Sequence, residues 1–271
     1  MIQEFITYLR AVRGYSENTC RSYKNDLQTY ARWARENTNQ ARWSETTREQ
    51  IDKFLEYQLG QGYKPTTTNR QLAAIASLFR YFQRQGYDIQ NPCEYESRRK
   101  QAKTIPATIP TKQLAQAYRH AAGVRKTILG LLCTTGIRLQ ELLDLTWEDI
   151  DFDSNIIRIN GKGNKERIVT TEAWALSELK QTYLTINPHG KMFFLSQRKV
   201  RYMIYETLKP YCKGTQLNPH AIRHTFATEL ARQGENCMTI AKILGHNKIE
   251  TSQKYVDMTQ LSKTHPGIIL N

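Results

Sequence analysis

The stretch from Asn218 to Tyr255 leaves this chain little freedom in how it folds. Asn218 is a good N-cap, and Pro219 suits a first helical turn. His220 and Arg223 then stand at i and i+3, on one face of the helix start. Gly234 fits as the stop of that helix and Gly245 as the stop of a second, shorter one. His246 follows the second stop directly and so stands at a corner. Tyr255 comes nine residues later, within a polar run that starts at Asn247. The N-terminal end of a helix favours an anion through its free N–H groups and macrodipole. A histidine and a guanidinium converging there make a phosphate site.

Charge points the same way. The 271 residues carry a net charge of +14. Residues 1–88 hold 13 Lys/Arg against 9 Asp/Glu, and residues 89–271 hold 26 against 16. The positive charge is therefore spread over the whole chain rather than confined to a tail, which suits a protein that grips nucleic acid with two domains. No apolar run reaches the ~20 residues of a membrane span. The start, Met1-Ile2-Gln3-Glu4-Phe5, lacks the basic region and apolar core of a signal peptide. A cytoplasmic, nucleoid-associated protein without membrane contact is expected. The five cysteines are odd in number, widely spaced and without a C-x-x-C, so reduced thiols are expected rather than a disulfide framework.

The pattern along the chain is mainly α. Residues 1–88 read as four helices. Ser16 caps the second, and Thr47-Arg48-Glu49-Gln50 and Thr68-Asn69-Arg70-Gln71 read as capping boxes of the third and fourth. Leu72, Ile75, Leu78, Phe79 and Phe82 form a core stripe on the last, with Arg70, Arg80 and Arg84 on its other face. The tyrosines and tryptophans of this part are expected in its core. Residues 89–110 lose the helical period, gain prolines and carry Arg98, Arg99, Lys100 and Lys103; they read as an extended basic linker. Helices resume with Thr111 as a cap, and Gly136 breaks one just before Arg138. Between Ile137 and Leu139, Arg138 is expected to be partly buried and to need an anionic partner. Residues 155–160 and 166–171 flank Gly161-Lys162-Gly163-Asn164-Lys165, a β-hairpin that leaves Lys162 on an uncrowded turn.

Two arginines, a lysine, histidines and a tyrosine in a basic protein suit phosphoryl transfer. Each guanidinium can hold two non-bridging oxygens of a phosphorane-like transition state. A tyrosine can act as covalent nucleophile once its pKa of about 10 is overcome by nearby positive charge and a base. Lys162 can protonate a leaving oxygen. His220 and His224 at i and i+4, with His246, could instead share a metal. The sequence lacks His-Glu-x-x-His, and Arg223 would set positive charge beside the cation. No metal and no cofactor is expected, and His224 is read as supporting the site.

These residues resemble the tyrosine recombinases, or phage integrase family, and look closest to short Xer-like members. The match rests on Thr135-Gly136-Ile137-Arg138-Leu139-Gln140-Glu141-Leu142, Gly161-Lys162-Gly163-Asn164-Lys165-Glu166-Arg167, His220-Ala221-Ile222-Arg223-His224 and Leu244-Gly245-His246 before Tyr255, in family order. The resemblance implies a helical core-binding domain at 1–88, the linker at 89–110 and a mostly α catalytic domain with a small antiparallel sheet at 111–271. It implies site-specific DNA recombination through a 3′-phosphotyrosyl link and a Holliday junction, without metal or ATP. By that carry-over the catalytic set is Arg138, Lys162, His220, Arg223, His246 and Tyr255. The implied partners are double-stranded DNA with an inverted-repeat site, further protomers in a tetrameric synapse, and a second recombinase or accessory protein. The tail Ile268-Ile269-Leu270 either folds back on its own domain or frays, or, as the resemblance implies, docks on a neighbouring protomer. Type IB topoisomerase-like relaxation and a silent DNA-binding protein are the rival readings.

Overall fold

The computed structural model describes residues 1–38, 42–94, 106–161, 165–183, 189–212, 216–246 and 248–264. Two units result, Met1–Lys103 and Thr104–Asn271. Lys162, in the hairpin turn, and Ile268–Leu270, in the tail, lie outside the described residues.

The first unit is built from α1 (Ile2–Ala11), α2 (Glu17–Asn37), α3 (Arg48–Gly60) and α4 (Pro65–Arg84). Its starts follow local chemistry. Thr19 N–H donates to the Ser16 hydroxyl, and Thr47 and Gln50 exchange backbone-to-side-chain bonds in a capping box. The expected box at Thr68 does not form. Pro65 occupies the first turn of α4, its fixed φ already helical, so the helix starts earlier and Thr68 is buried within it. Phe5, Leu27, Tyr30, Phe54, Ile75 and Phe79 are fully covered in one core. Tyr30 and Trp33 join it as expected, whereas Tyr57, Tyr63 and Tyr87 face solvent. Arg70 holds the buried Asp26 in a two-bond fork at 2.8 and 2.9 Å, tying α4 to α2.

The expected linker is partly folded at its ends. Cys93 is buried in the first core and Ile109 in the second. Ile109 is pinned through its N–H and its carbonyl to the Thr225 hydroxyl.

The second unit runs through α5 (Thr111–His120), α6 (Gly123–Thr135) and α7 (Leu139–Asp144) into a sheet. Thr111 begins α5 but does not cap it; Pro110 stands at the N-cap. The sheet is β1 (Ile150–Asp151), β2 (Ile156–Gly161) and β3 (Lys165–Thr170), antiparallel in that order. The hairpin was expected; the two-residue β1 was too short to leave a period-2 signal. Ile157 pairs with Val169 and Ile159 with Arg167. Directly opposed residues share a face, so β3 turns Arg167 inward with Val169 and leaves Ile168 exposed. Then follow α8 (Ala173–Tyr183), α9 (Gln197–Leu208), α10 (Pro219–Arg232), α11 (Cys237–Leu244) and α12 (Glu250–Thr264). Among the described residues no helix is long and apolar enough to cross a membrane.

Gly136 ends α6 in the left-handed region at φ 61°. A Cβ there would lie 2.3 Å from Phe226 Cδ1 on α10. Left-handed backbone and overpacking add, so Gly136→Ala is expected to cost roughly 2–4 kcal/mol of unfolding free energy. Urea denaturation followed by circular dichroism measures this; a loss below about 0.5 kcal/mol would contradict the packing at this corner.

Candidate active site

Asn218 caps α10 by accepting the Ala221 N–H at 3.0 Å, with Pro219 in the first turn. This sets His220 at the surface and turns Arg223 inward. Arg223 is 5 % exposed, and its two terminal nitrogens donate to the carbonyls of Gly136 and Leu244, each at 2.6 Å. Those carbonyls are the free ends of α6 and α11, where the helix dipoles concentrate negative charge. Burial, with the nearby Arg138, lowers the Arg223 pKa to about 10, so it stays cationic at neutral pH.

Arg138 stands at the N-cap of α7. It donates to the Gly245 carbonyl and to Glu141 Oε1, both at 2.7 Å, and its own N–H donates to Glu141 Oε2 at 2.8 Å. Glu141 is the anionic partner that Arg138 was expected to need. Arg167 reaches the same carboxylate with two bonds, at 2.9 and 2.7 Å, and donates to the Ile243 carbonyl at 2.9 Å. Burial alone would raise the Glu141 pKa; the bonds from Arg167 and Arg138 outweigh it and hold the carboxyl at about 2. Gly245, at φ 64°, has Arg167 packed so close that a Cβ would lie 2.9 Å from its guanidinium. Together Arg138, Glu141, Gly161, Arg167, Gly245 and His246 line much of a cleft of about 740 Å³. Gly161 is the last residue of β2 before Lys162.

Tyr255 is carried by α12 and is 1 % exposed. It packs with Ala227, Ala231, Ile240 and Leu244. Its hydroxyl lies 2.7 Å from His224 Nδ1, and the His246 ring stacks at 6.5 Å between centroids. His246 Nδ1 meets the Ser252 hydroxyl at 2.8 Å.

Residues 99–261 match the phage integrase family, and residues 2–86 match its N-terminal SAM-like domain. The tyrosine recombinase XerD of Haemophilus influenzae is 31 % identical over 283 residues, covering 96 % of this chain and 94 % of that protein. XerC of Staphylococcus haemolyticus is 29 % identical over the same shares of the two chains. The chain belongs to the phage integrase family. It is a tyrosine recombinase, an enzyme of site-specific DNA recombination. Solved structures share its fold, among them these two. XerH bound to palindromic difH substrate, in a post-cleavage complex, has a TM-score of 0.76 at 18 % identity, covering 97 % of this chain and 83 % of that one. A lambda integrase dimer bound to a COC′ core site has a TM-score of 0.74 at 16 % identity, covering 100 % and 98 %.

The recombinase thus brings Arg138, Arg223, His246 and Tyr255 to the junction of α6, α7, α10, α11 and α12, with His220 at the α10 start. Glu141 and Arg167 received no role from sequence. A signal existed for Arg167: alternation along β3 places it beside buried Val169, and an inward charge needs a partner. His224, read as support, touches the tyrosine hydroxyl.

Burial dominates the titration of the tyrosine and the histidines here. It pushes the Tyr255 phenol up to about 12, against the pull of Arg223. Burial and Lys254 bring His224 to about 4; burial and Arg223 bring His246 to about 4 and lower His220 as well. For His224 and His246 the unfolded chain takes up protons first as pH falls. Stability present above pH 6.5 is therefore lost progressively down to about pH 4. Thermal unfolding midpoints should fall across that window, and His246→Gln should flatten the slope. An unchanged slope would show that His246 is not held neutral by the fold.

Proposed function

We propose that Arg138, Lys162, His220, Arg223, His246 and Tyr255 form the catalytic set, acting on a phosphodiester of duplex DNA. The observation that carries this reading is the meeting of Arg138 and Arg223 beside the buried Tyr255 and His246. Among the described residues, each arginine spends two terminal N–H bonds on protein acceptors. A guanidinium has five N–H donors, so both retain donors for non-bridging oxygens. Tyr255 attacks phosphorus, its proton leaves to a base, and the 5′-oxygen departs protonated by Lys162. The 3′-phosphotyrosyl link stores the phosphodiester energy, and a 5′-hydroxyl of a partner duplex attacks it to form a Holliday junction. Electrostatic stabilisation comes from guanidiniums, so neither metal nor ATP enters the reaction.

XerH is a site-specific recombinase bound to its difH substrate, and the lambda integrase dimer is bound to a core site. For this chain we propose duplex DNA with an inverted-repeat site, gripped by a core-binding unit at 1–88 and a catalytic unit at 111–271. A tetrameric synapse, with a second recombinase or accessory protein as further partner, and a nucleoid location complete the reading. Docking of Ile268–Leu270 on the next protomer would close the array.

Tyr255→Phe removes only the hydroxyl. On a nicked suicide duplex in EDTA, wild type should form a covalent adduct on a denaturing gel and the variant none, with DNA binding within about twofold. An adduct in the variant would sink the nucleophile assignment.

Lys162→Ala should slow cleavage by about 10²–10⁴, the usual worth of a positioned acid. A 5′-bridging phosphorothiolate needs no proton on its leaving group and should restore the rate. A variant equally slow on both substrates would refute the acid role.

A further inference from the structure

The Tyr255 hydroxyl is engaged by a side chain of its own unit. It lies 2.7 Å from His224 Nδ1, on the residue that follows Arg223. Three residues before Tyr255 on α12, Ser252 is fully buried and meets His246 Nδ1 at 2.8 Å. Positions i and i+3 share a helix face. Two histidines therefore hold one face of α12 against the rest of the unit, while Ala227, Ala231, Ile240 and Leu244 cover the tyrosine ring. In-line attack needs the phenol oxygen about 3–3.5 Å from phosphorus. At 1 % exposure Tyr255 admits no such approach.

We propose that His224 is a positioning residue that keeps Tyr255 withdrawn, and that strand cleavage requires the His224–Tyr255 hydrogen bond to open as the α12 face moves. This rests on Tyr255 being the nucleophile, as proposed above. His224 held neutral near 4 and a phenol near 12 make this a bond between neutral groups. Such a bond is weak enough to open, and its loss shifts a two-state balance by about fivefold. A base poised for reaction would instead need the hydroxyl open to the phosphate while still bonded to it.

The test uses full-length protein and a nicked duplex carrying the sequence that wild type selects from a random pool. His224→Ala should form adduct about fivefold faster than wild type. His224→Asn keeps a polar atom at the Nδ1 position and should return the rate to that of wild type. Slower cleavage in both variants overturns the proposal and makes His224 the proton acceptor. A 3-fluorotyrosine placed at 255 reads the same equilibrium without turnover. In wild type its fluorine resonance should move when intact duplex binds, and free His224→Ala should already lie toward the bound position. A resonance unmoved by DNA in wild type overturns the proposal even where His224→Ala fails to fold. An adduct from Tyr255→Phe would defeat the nucleophile reading itself. A silent Tyr255→Phe beside a His224→Ala no faster than wild type defeats only the latch.

Discussion

The Arg223 guanidinium, buried between two helix ends, is the interaction on which the rest of the second unit depends. A buried cation is costly unless its donors are satisfied. Here the satisfaction comes from carbonyls of Gly136 and Leu244, the C-terminal ends of α6 and α11. Those carbonyls point at one spot only because both helices close on a left-handed glycine, Gly136 and Gly245. Gly136 must also be bare for Phe226 to lie on it, and Gly245 for Arg167 to lie on it. Two glycines, each a stop signal in sequence, thus set the distance between α10, which supplies Arg223, and the corner that receives Arg138.

From that corner the order spreads by ion pairing. Glu141 is a single carboxylate shared between a helix start and a strand, with Arg138 on one side and Arg167 on the other. A carboxylate forked by two guanidiniums resists rotation, since turning it breaks charge-assisted bonds on both sides. The β2–β3 hairpin is joined to the arginine corner through Arg167, which also bonds the Ile243 carbonyl on α11. Breaking one partner of such a buried cluster leaves an uncompensated charge, which is worse than never having had the pair.

Much of this was legible in the residues. Asn218-Pro219, Ser16 and the Thr47 box act locally, within one turn, so sequence reports them faithfully. The family motifs placed the shown fold, a helical N-terminal domain and a mostly α unit with a small sheet. Thr68 misled because Pro65, three residues upstream, fixed an earlier start. Cys93 and Ile109 were read as linker because burial against a distant core leaves no periodic trace in a short segment. Glu141, Arg167 and the Tyr255–His224 bond were hidden for a related reason. Arg167 lies 26 residues from Glu141 and Tyr255 lies 31 from His224, so no local spacing encodes either pairing, although β3 alternation marks Arg167 as an inward charge and Arg138 stands only three residues from Glu141.

The charge of the cluster bears on the mechanism we propose. Arg138, Arg167 and Arg223 bring three positive charges, and Glu141 removes one. His224 and His246, held near 4, add none at neutral pH. Among the described residues the cluster therefore carries two net positive charges. A phosphodiester enters with one negative charge, and a phosphorane formed by a phenolate carries two. Lys162, acting as proposed, adds one more positive charge. The negative charge at phosphorus doubles between substrate and transition state, so fixed cations around it favour the second over the first, the condition under which fixed charge lowers a barrier rather than only tightening binding. Glu141 is then more than a brace. Without it the cluster would hold three unopposed guanidiniums, overbinding the ground state and repelling one another in a half-buried space. A carboxylate held at about 2 keeps its charge throughout the neutral range, so the charge of this cluster does not drift with pH where the histidines stay neutral.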